Sequence, residues 1–121
     1  MLRPDEVLAA LPDRVSEAKD LHYKPPMGWD ESGEAAACCR LVKQVLAMAD
    51  TARGHIIIGV LESATERKWV GADRKQAASL EATSLSSFVR RYADPPVTLS
   101  VAKPQYNGKR HVLIAVPEFP P

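Results

Sequence analysis

Glu17 and Lys19 flank Ala18 in the stretch "SEAKD", residues 16–20. On extended backbone, residues two apart point to the same face, so this carboxylate and this ammonium would look onto one site. Metal-dependent nucleases use such a layout. A carboxylate holds a divalent cation, and a lysine orients water or offsets charge at phosphorus. Further carboxylates must converge from elsewhere, and Asp13, Asp20 and Glu62 are the candidates. The nuclease expectation therefore places Glu17, Lys19 and Glu62 in catalysis, with Glu17, Asp20 and Glu62 as ligands for Mg²⁺ or Mn²⁺. The plain alternative is a solvated ion pair on a strand, since Glu-x-Lys is a common tripeptide.

A second chemistry sits near the end of the chain. Lys103, Tyr106, Lys109 and Arg110 surround Asn107-Gly108. Lysine and arginine can neutralise phosphates, and a tyrosine ring can stack on a base. The same residues also suit an ordinary solvated turn whose lysines guard an edge strand. Charge is unevenly spread: residues 1–66 carry 7 Lys/Arg and 11 Asp/Glu, whereas residues 67–121 carry 9 and 4. The basic half is built of doublets, Arg67-Lys68, Arg74-Lys75, Arg90-Arg91 and Lys109-Arg110. The net charge of +1 does not by itself mark a nucleic-acid binder. His22, His55 and His111 lack metal-ligand spacing and read as surface or strand-edge residues. Cys38 and Cys39 are adjacent, cannot form an ordinary structural bridge with each other, and read as core cysteines in a reducing, cytoplasmic setting.

The elements that must position these residues follow from periodicity. A short helix is expected over residues 1–12, then a strand through "SEAKDLHYK", then a loop containing Pro25, Pro26, Gly28 and Gly33. From about Glu34 to Ala52, the three-and-four spacing of Cys38, Leu41, Val42, Val45, Met48, Ala49 and Ala52 predicts an amphipathic helix. Gly54 is expected to end it in a left-handed conformation. "HIIIGV" predicts a strand buried on both faces, with Gly59 as strand exit or point of close approach. "KWVGAD" predicts a short strand and turn. Asp73 and Gln76 have the spacing of a capping box that opens one further helix, which carries Ala77, Leu80, Leu85, Phe88, Val89 and Tyr92 and is stopped by Pro95-Pro96. Asn107-Gly108 predicts a two-residue hairpin turn. Pairing outward from it aligns Val101 with Ile114 and Leu99 with Val116, and Pro104 marks the first arm as an edge strand. The expected fold is α+β in two layers: a mixed sheet packed with two main helices, a short N-terminal helix and a C-terminal hairpin, in one domain spanning 1–121 with its core at about 15–118. No apolar run approaches the ~20 residues of a membrane span, and no signal peptide opens the chain.

The stretch "LVKQVLAMADTARGHIIIGV", residues 41–60, has glycines near a helix–strand junction. A phosphate-gripping loop follows a strand and precedes a helix, and ends in Gly-Lys-Ser/Thr. Here the order is reversed and that ending is absent, so the segment reads as a tight joint.

In sequence, these pieces resemble the Schlafen AlbA-type domain, which is labelled a DNA-binding domain in bacteria. "SEAKD" resembles the family's opening Glu-Phe-Lys strand, and residues 41–60 resemble its helix ending in Ala-Asn-Thr-x-Gly-Gly before an Ile-Gly-Val strand. "WVGAD", "YADPPVTLSV" and "NGKRHVLIAVPE" are similar to the segments that follow. Ala18, Asp50 and Arg53 depart from the family's Phe, Asn and first Gly. The resemblance implies a nucleic-acid-binding module, with DNA or RNA as partner and Arg53, Lys103, Tyr106, Lys109 and Arg110 as contacts. For the family's endoribonucleases it implies three acids. Glu17 matches one; Pro12 stands where the second belongs, with Asp13 beside it; Glu62 is taken for the third. A protein-interaction or oligomerisation module, such as a homodimer joined through the hairpin edge, is the reading from a different class.

Overall fold

The computed structural model describes residues 21–29, 36–51, 54–91, 98–106 and 108–117. Its central element is the isoleucine strand. Strand β1 (Leu21–Lys24) lies parallel to β2 (Gly54–Ile58), with Tyr23 opposite Ile57. Adjacent parallel strands need a long crossover, and helix α1 (Ala36–Thr51) lies within it. On its other side β2 pairs antiparallel with β8 (Val112–Val116), and β8 pairs with β5 (Ser100–Ala102). The four-stranded order is β1-β2-β8-β5, a mixed sheet with β5 at an edge.

The α1 stripe is buried as its spacing predicts, at Cys38, Leu41, Val42, Val45, Met48 and Ala49, while Arg40 and Lys43 are exposed. It packs with Ile56 and Ile58 of β2 and with Val112, Ile114 and Val116 of β8. Ile57, one residue out of phase, joins Leu21, Tyr23, Val60 and Leu113 in a second cluster. Burial of "HIIIGV" on both faces is thus realised. The second face is covered by two small hairpins: β3 (Val60–Glu62) with β4 (Arg67–Trp69), and β6 (Gln105–Tyr106) with β7 (Lys109–Arg110). Trp69 and Tyr106 reach from them onto that cluster.

The hairpin register agrees with the turn argument. Val101 pairs with Ile114, and Tyr106 with Lys109, in one continuous offset. Between the two ladders the His111 N–H donates to the Pro104 carbonyl at 2.9 Å. The capping box is present: the Gln76 N–H donates to Asp73 Oδ1 at 2.7 Å, and the Asp73 N–H donates to Gln76 Oε1 at 3.0 Å.

Two expectations need correcting. The helix expected from Asp73 onward is two, α2 (Arg74–Ser79) and α3 (Ala82–Val89), broken at Leu80, which has φ −89° and ψ 87°. Leu80 to Leu85 is a step of five, neither three nor four, so one straight helix could not bury both; the break lets each reach the core. Gly54 is no left-handed helix stop: it is buried in β2 opposite Val116 and is not among the glycines with positive φ. The expected N-terminal helix, the "SEAKD" part of the first strand, Ala52, Tyr92 and Pro95-Pro96 lie outside the described residues.

Gly59 and Gly71 lie in close backbone contact. The Gly59 N–H donates to the Lys24 carbonyl, the Gly71 N–H to the Gly59 carbonyl and the Ala72 N–H to the Arg110 carbonyl, at 2.8–2.9 Å. Gly59 has φ +114°, and a Cβ there would lie 2.8 Å from the Gly71 backbone; one on Gly71 would lie 2.7 Å from the Arg110 oxygen. Gly108 also has positive φ, but a Cβ there meets nothing. Substituting alanine separates conformational cost from steric cost. Gly59→Ala is expected to lower unfolding stability in urea by about 3 kcal/mol, and Gly108→Ala by about 1 kcal/mol. Equal losses would show that the backbone stack imposes no steric demand.

Candidate functional site

The β6–β7 hairpin carries most of the described basic candidates, and its base is fixed from three directions. Arg110 backbone is held by Ala72, Lys109 packs on Gly71, and His111 is tied to Pro104. Lys109 and Arg110 are exposed, and among the described residues no carboxylate lies within ion-pair distance of either. The Arg110 guanidinium donates through Nη1 to the Lys103 carbonyl, which turns it back along the hairpin. Lys103 is spent differently: its Nζ lies 2.9 Å from Glu81 Oε1, an ion pair joining the β5 end to the start of α3.

Tyr106 is half-buried, with its ring 4.7 Å from that of Trp69. Trp69 in turn meets Tyr23 edge-on at 5.8 Å, and the Arg67 guanidinium lies 4.1 Å over the Tyr23 ring. Geometry of this kind is favourable by about 0.5–1.5 kcal/mol per aromatic pair. The described contacts give Tyr106 a packing role on one side of the hairpin.

His111, expected at the surface or at a strand edge, directly precedes β8 but is not at the surface. It is fully buried, against Trp69 at 5.5 Å and Tyr106 at 6.2 Å. Its Nδ1 lies 3.1 Å from the Lys109 carbonyl; a carbonyl only accepts, so Nδ1 carries the proton. Nε2 has no hydrogen-bond partner among the described residues. Burial pushes the His111 pKa below its usual range, the bond to the Lys109 carbonyl works against that, and the nearby Lys109 charge adds to the lowering.

Of the candidate cation ligands, Glu62 alone is described. It sits at the exposed end of β3 opposite Arg67, and its Oε2 accepts from Arg67 Nη2 at 3.3 Å and Nε at 3.4 Å. Glu17, Lys19, Asp20, Asp13 and Arg53 lie outside the described residues. Among the described residues no three His, Cys, Asp or Glu side chains gather as a metal-binding group. No described helix is long and apolar enough to cross a membrane. Sequence reasoning missed the Arg67–Tyr23–Trp69–Tyr106–His111 layer. Its signal was the basic-aromatic "RKW" run, which periodicity alone cannot connect to residues forty positions away.

Comparison with known proteins places the chain beside a known family and a known fold. A family model described as Schlafen, AlbA_2 matches residues 17–121. Among solved structures, the chain is similar to the N-terminal domain of a Nitrosomonas europaea protein whose name relates it to the ATP-dependent DNA helicase RecG. The identity is 15% and the TM-score 0.56, over 98% of this chain and 74% of that one, which is a likeness of fold. No curated protein matches.

The His111 geometry sets a pH dependence. The unfolded chain takes up this proton near pH ~6.5 and the folded chain only at lower pH, so folding is most stable above that value and weakens as pH falls below it. Urea midpoints are expected to drop between pH 7 and pH 5, and the drop should be shallower in His111→Gln. An unchanged pH slope in that variant would remove His111 as its source.

Proposed function

The chain belongs to the Schlafen AlbA_2 family, and from that premise we propose that it is a nucleic-acid-binding module gripping phosphates with basic side chains of its second half. One observation carries the reading: Lys109 and Arg110 stand exposed and without a described carboxylate partner on a hairpin whose base is locked to the sheet. Three other described cations, Arg67, Lys68 and Lys103, are each matched to a carboxylate. Phosphates supply the missing counter-charge, and contacts of this type bind without reading sequence. The name of the structural neighbour, which relates it to a DNA helicase, points to the same class of partner. Arg53 is included as a further contact, on the ground that it replaces a glycine at the helix–strand joint. Lys103 and Tyr106 support the arm from below, through Glu81 and Trp69 respectively.

Binding to labelled RNA and DNA oligomers, followed by fluorescence anisotropy across a salt series, tests this. Affinity should fall linearly on a log–log scale, and the double variant Lys109→Ala/Arg110→Ala should flatten the slope by about 1.4–1.8. Salt-independent binding, or none to either polymer, would sink the proposal. Loss of the RNA itself, prevented by EDTA and by Glu17→Gln, would replace binding with metal-dependent cleavage as the activity.

A further inference from the structure

A pocket of about 170 Å³ lies between α3 and the chain leading into β5. Its polar lining consists of Thr83, Ser86, Ser87, Arg90 and Thr98. Thr83, Ser87 and Arg90 recur at helical three-and-four spacing and so share the flank of α3, while Thr98 approaches from the opposite wall. No carboxylate lies among its described lining residues.

The hydrogen-bond inventory here is lopsided. Ser86 is buried, and its Oγ accepts from the Leu99 N–H at 3.0 Å. A hydroxyl that accepts still has a proton to give, and among the described residues that proton meets no acceptor. Thr98 Oγ1 accepts from Arg90 Nη2 at 3.4 Å in an exposed contact, which turns the guanidinium toward the pocket and leaves the threonine proton open to solvent. The remaining Arg90 N–H groups and the exposed Thr83 and Ser87 hydroxyls add more donors. The pocket thus has one positive charge and a surplus of donors. Among the described lining residues the Ser86 hydroxyl is the donor shut away from water, and a buried donor without a partner is costly, so the fitting occupant is a group that accepts.

Size narrows the class. The volume is well below the roughly 300–1,000 Å³ of pockets that enclose drug-sized ligands. A single tetrahedral oxyanion, with terminal oxygens for donors on several sides, matches both the room and the donor geometry. We propose that this pocket is a phosphate-binding site, with Arg90 supplying charge and the Ser86, Ser87 and Thr98 hydroxyls supplying directed hydrogen bonds. It uses none of the β6–β7 residues and stands or falls separately from the arm.

The test is a ¹H–¹⁵N NMR titration of the full chain with inorganic phosphate at constant ionic strength. Saturable shifts are expected at the amides of Ser87, Arg90 and Leu99. Arg90→Gln, an exposed change that leaves the Ser86–Leu99 bond intact, should weaken binding by about tenfold, while Lys109→Ala/Arg110→Ala should leave it unchanged. Shifts that rise linearly without saturation, or an Arg90→Gln variant that binds like the wild type, would overturn the site. Two further arms identify the source of the phosphate in a supported site. Saturation of the same amides by an oligonucleotide, lost in Arg90→Gln, assigns a backbone diester; saturation by a 5′-mononucleotide but not by the oligonucleotide assigns a free monoester.

Discussion

The close approach of three backbones, at Gly59, Gly71 and Arg110, governs how the second face of this domain is built. Each is hydrogen-bonded to another strand or loop at 2.8–2.9 Å, and neither glycine has room for a methyl group. The stack joins the exit of the central strand to the turn after β4 and to the β6–β7 hairpin. Backbone positions fixed this way leave the hairpin little freedom to swing. Lys109 and Arg110 are therefore presented from a fixed base, which lowers the ordering cost of any contact they make.

Packing, not surface charge, does most of the remaining positioning. The described ion pairs, Arg67–Glu62, Lys68–Glu66 and Lys103–Glu81, all have at least one partner well exposed to solvent, and pairs of that kind contribute about 0–1 kcal/mol each. The aromatic layer of Tyr23, Trp69 and Tyr106 covers Ile57 and Leu113 and bridges both hairpins to the sheet. Burial of even one large apolar side chain is stabilising by about 1.5–3 kcal/mol, which outweighs any single one of those pairs. His111 is the cost within this layer. Its ring fills the space beside Gly59, yet Nε2 goes without a described partner, so the same residue that completes the packing also makes it sensitive to acid.

Charge is then distributed by what the fold leaves over. Glu62 and Glu81 are matched to Arg67 and Lys103, while Lys109, Arg110 and Arg90 have no carboxylate partner among the described residues. A sequence tally saw a basic second half and could not tell which cations were already neutralised. Distances between segments make that distinction, because an ion pair loses value steeply with separation and exposure.

What the sequence determined by itself was whatever depends on local period and local turn chemistry. The α1 stripe, the two-faced burial of the isoleucine run, the Asp73–Gln76 capping box and the Val101–Ile114 register set from Asn107-Gly108 all follow from spacings within a few residues. The ordered motifs also carried the family resemblance that the matching family model bears out. The tertiary structure alone decided the break at Leu80, the strand role of Gly54, the burial of His111, the pairing of Lys103 with Glu81 and the donor-rich pocket beside α3. Each of these depends on segments far apart in the chain meeting at a particular distance. A spacing rule registers which way a side chain points from its own element; it does not register what waits for it there.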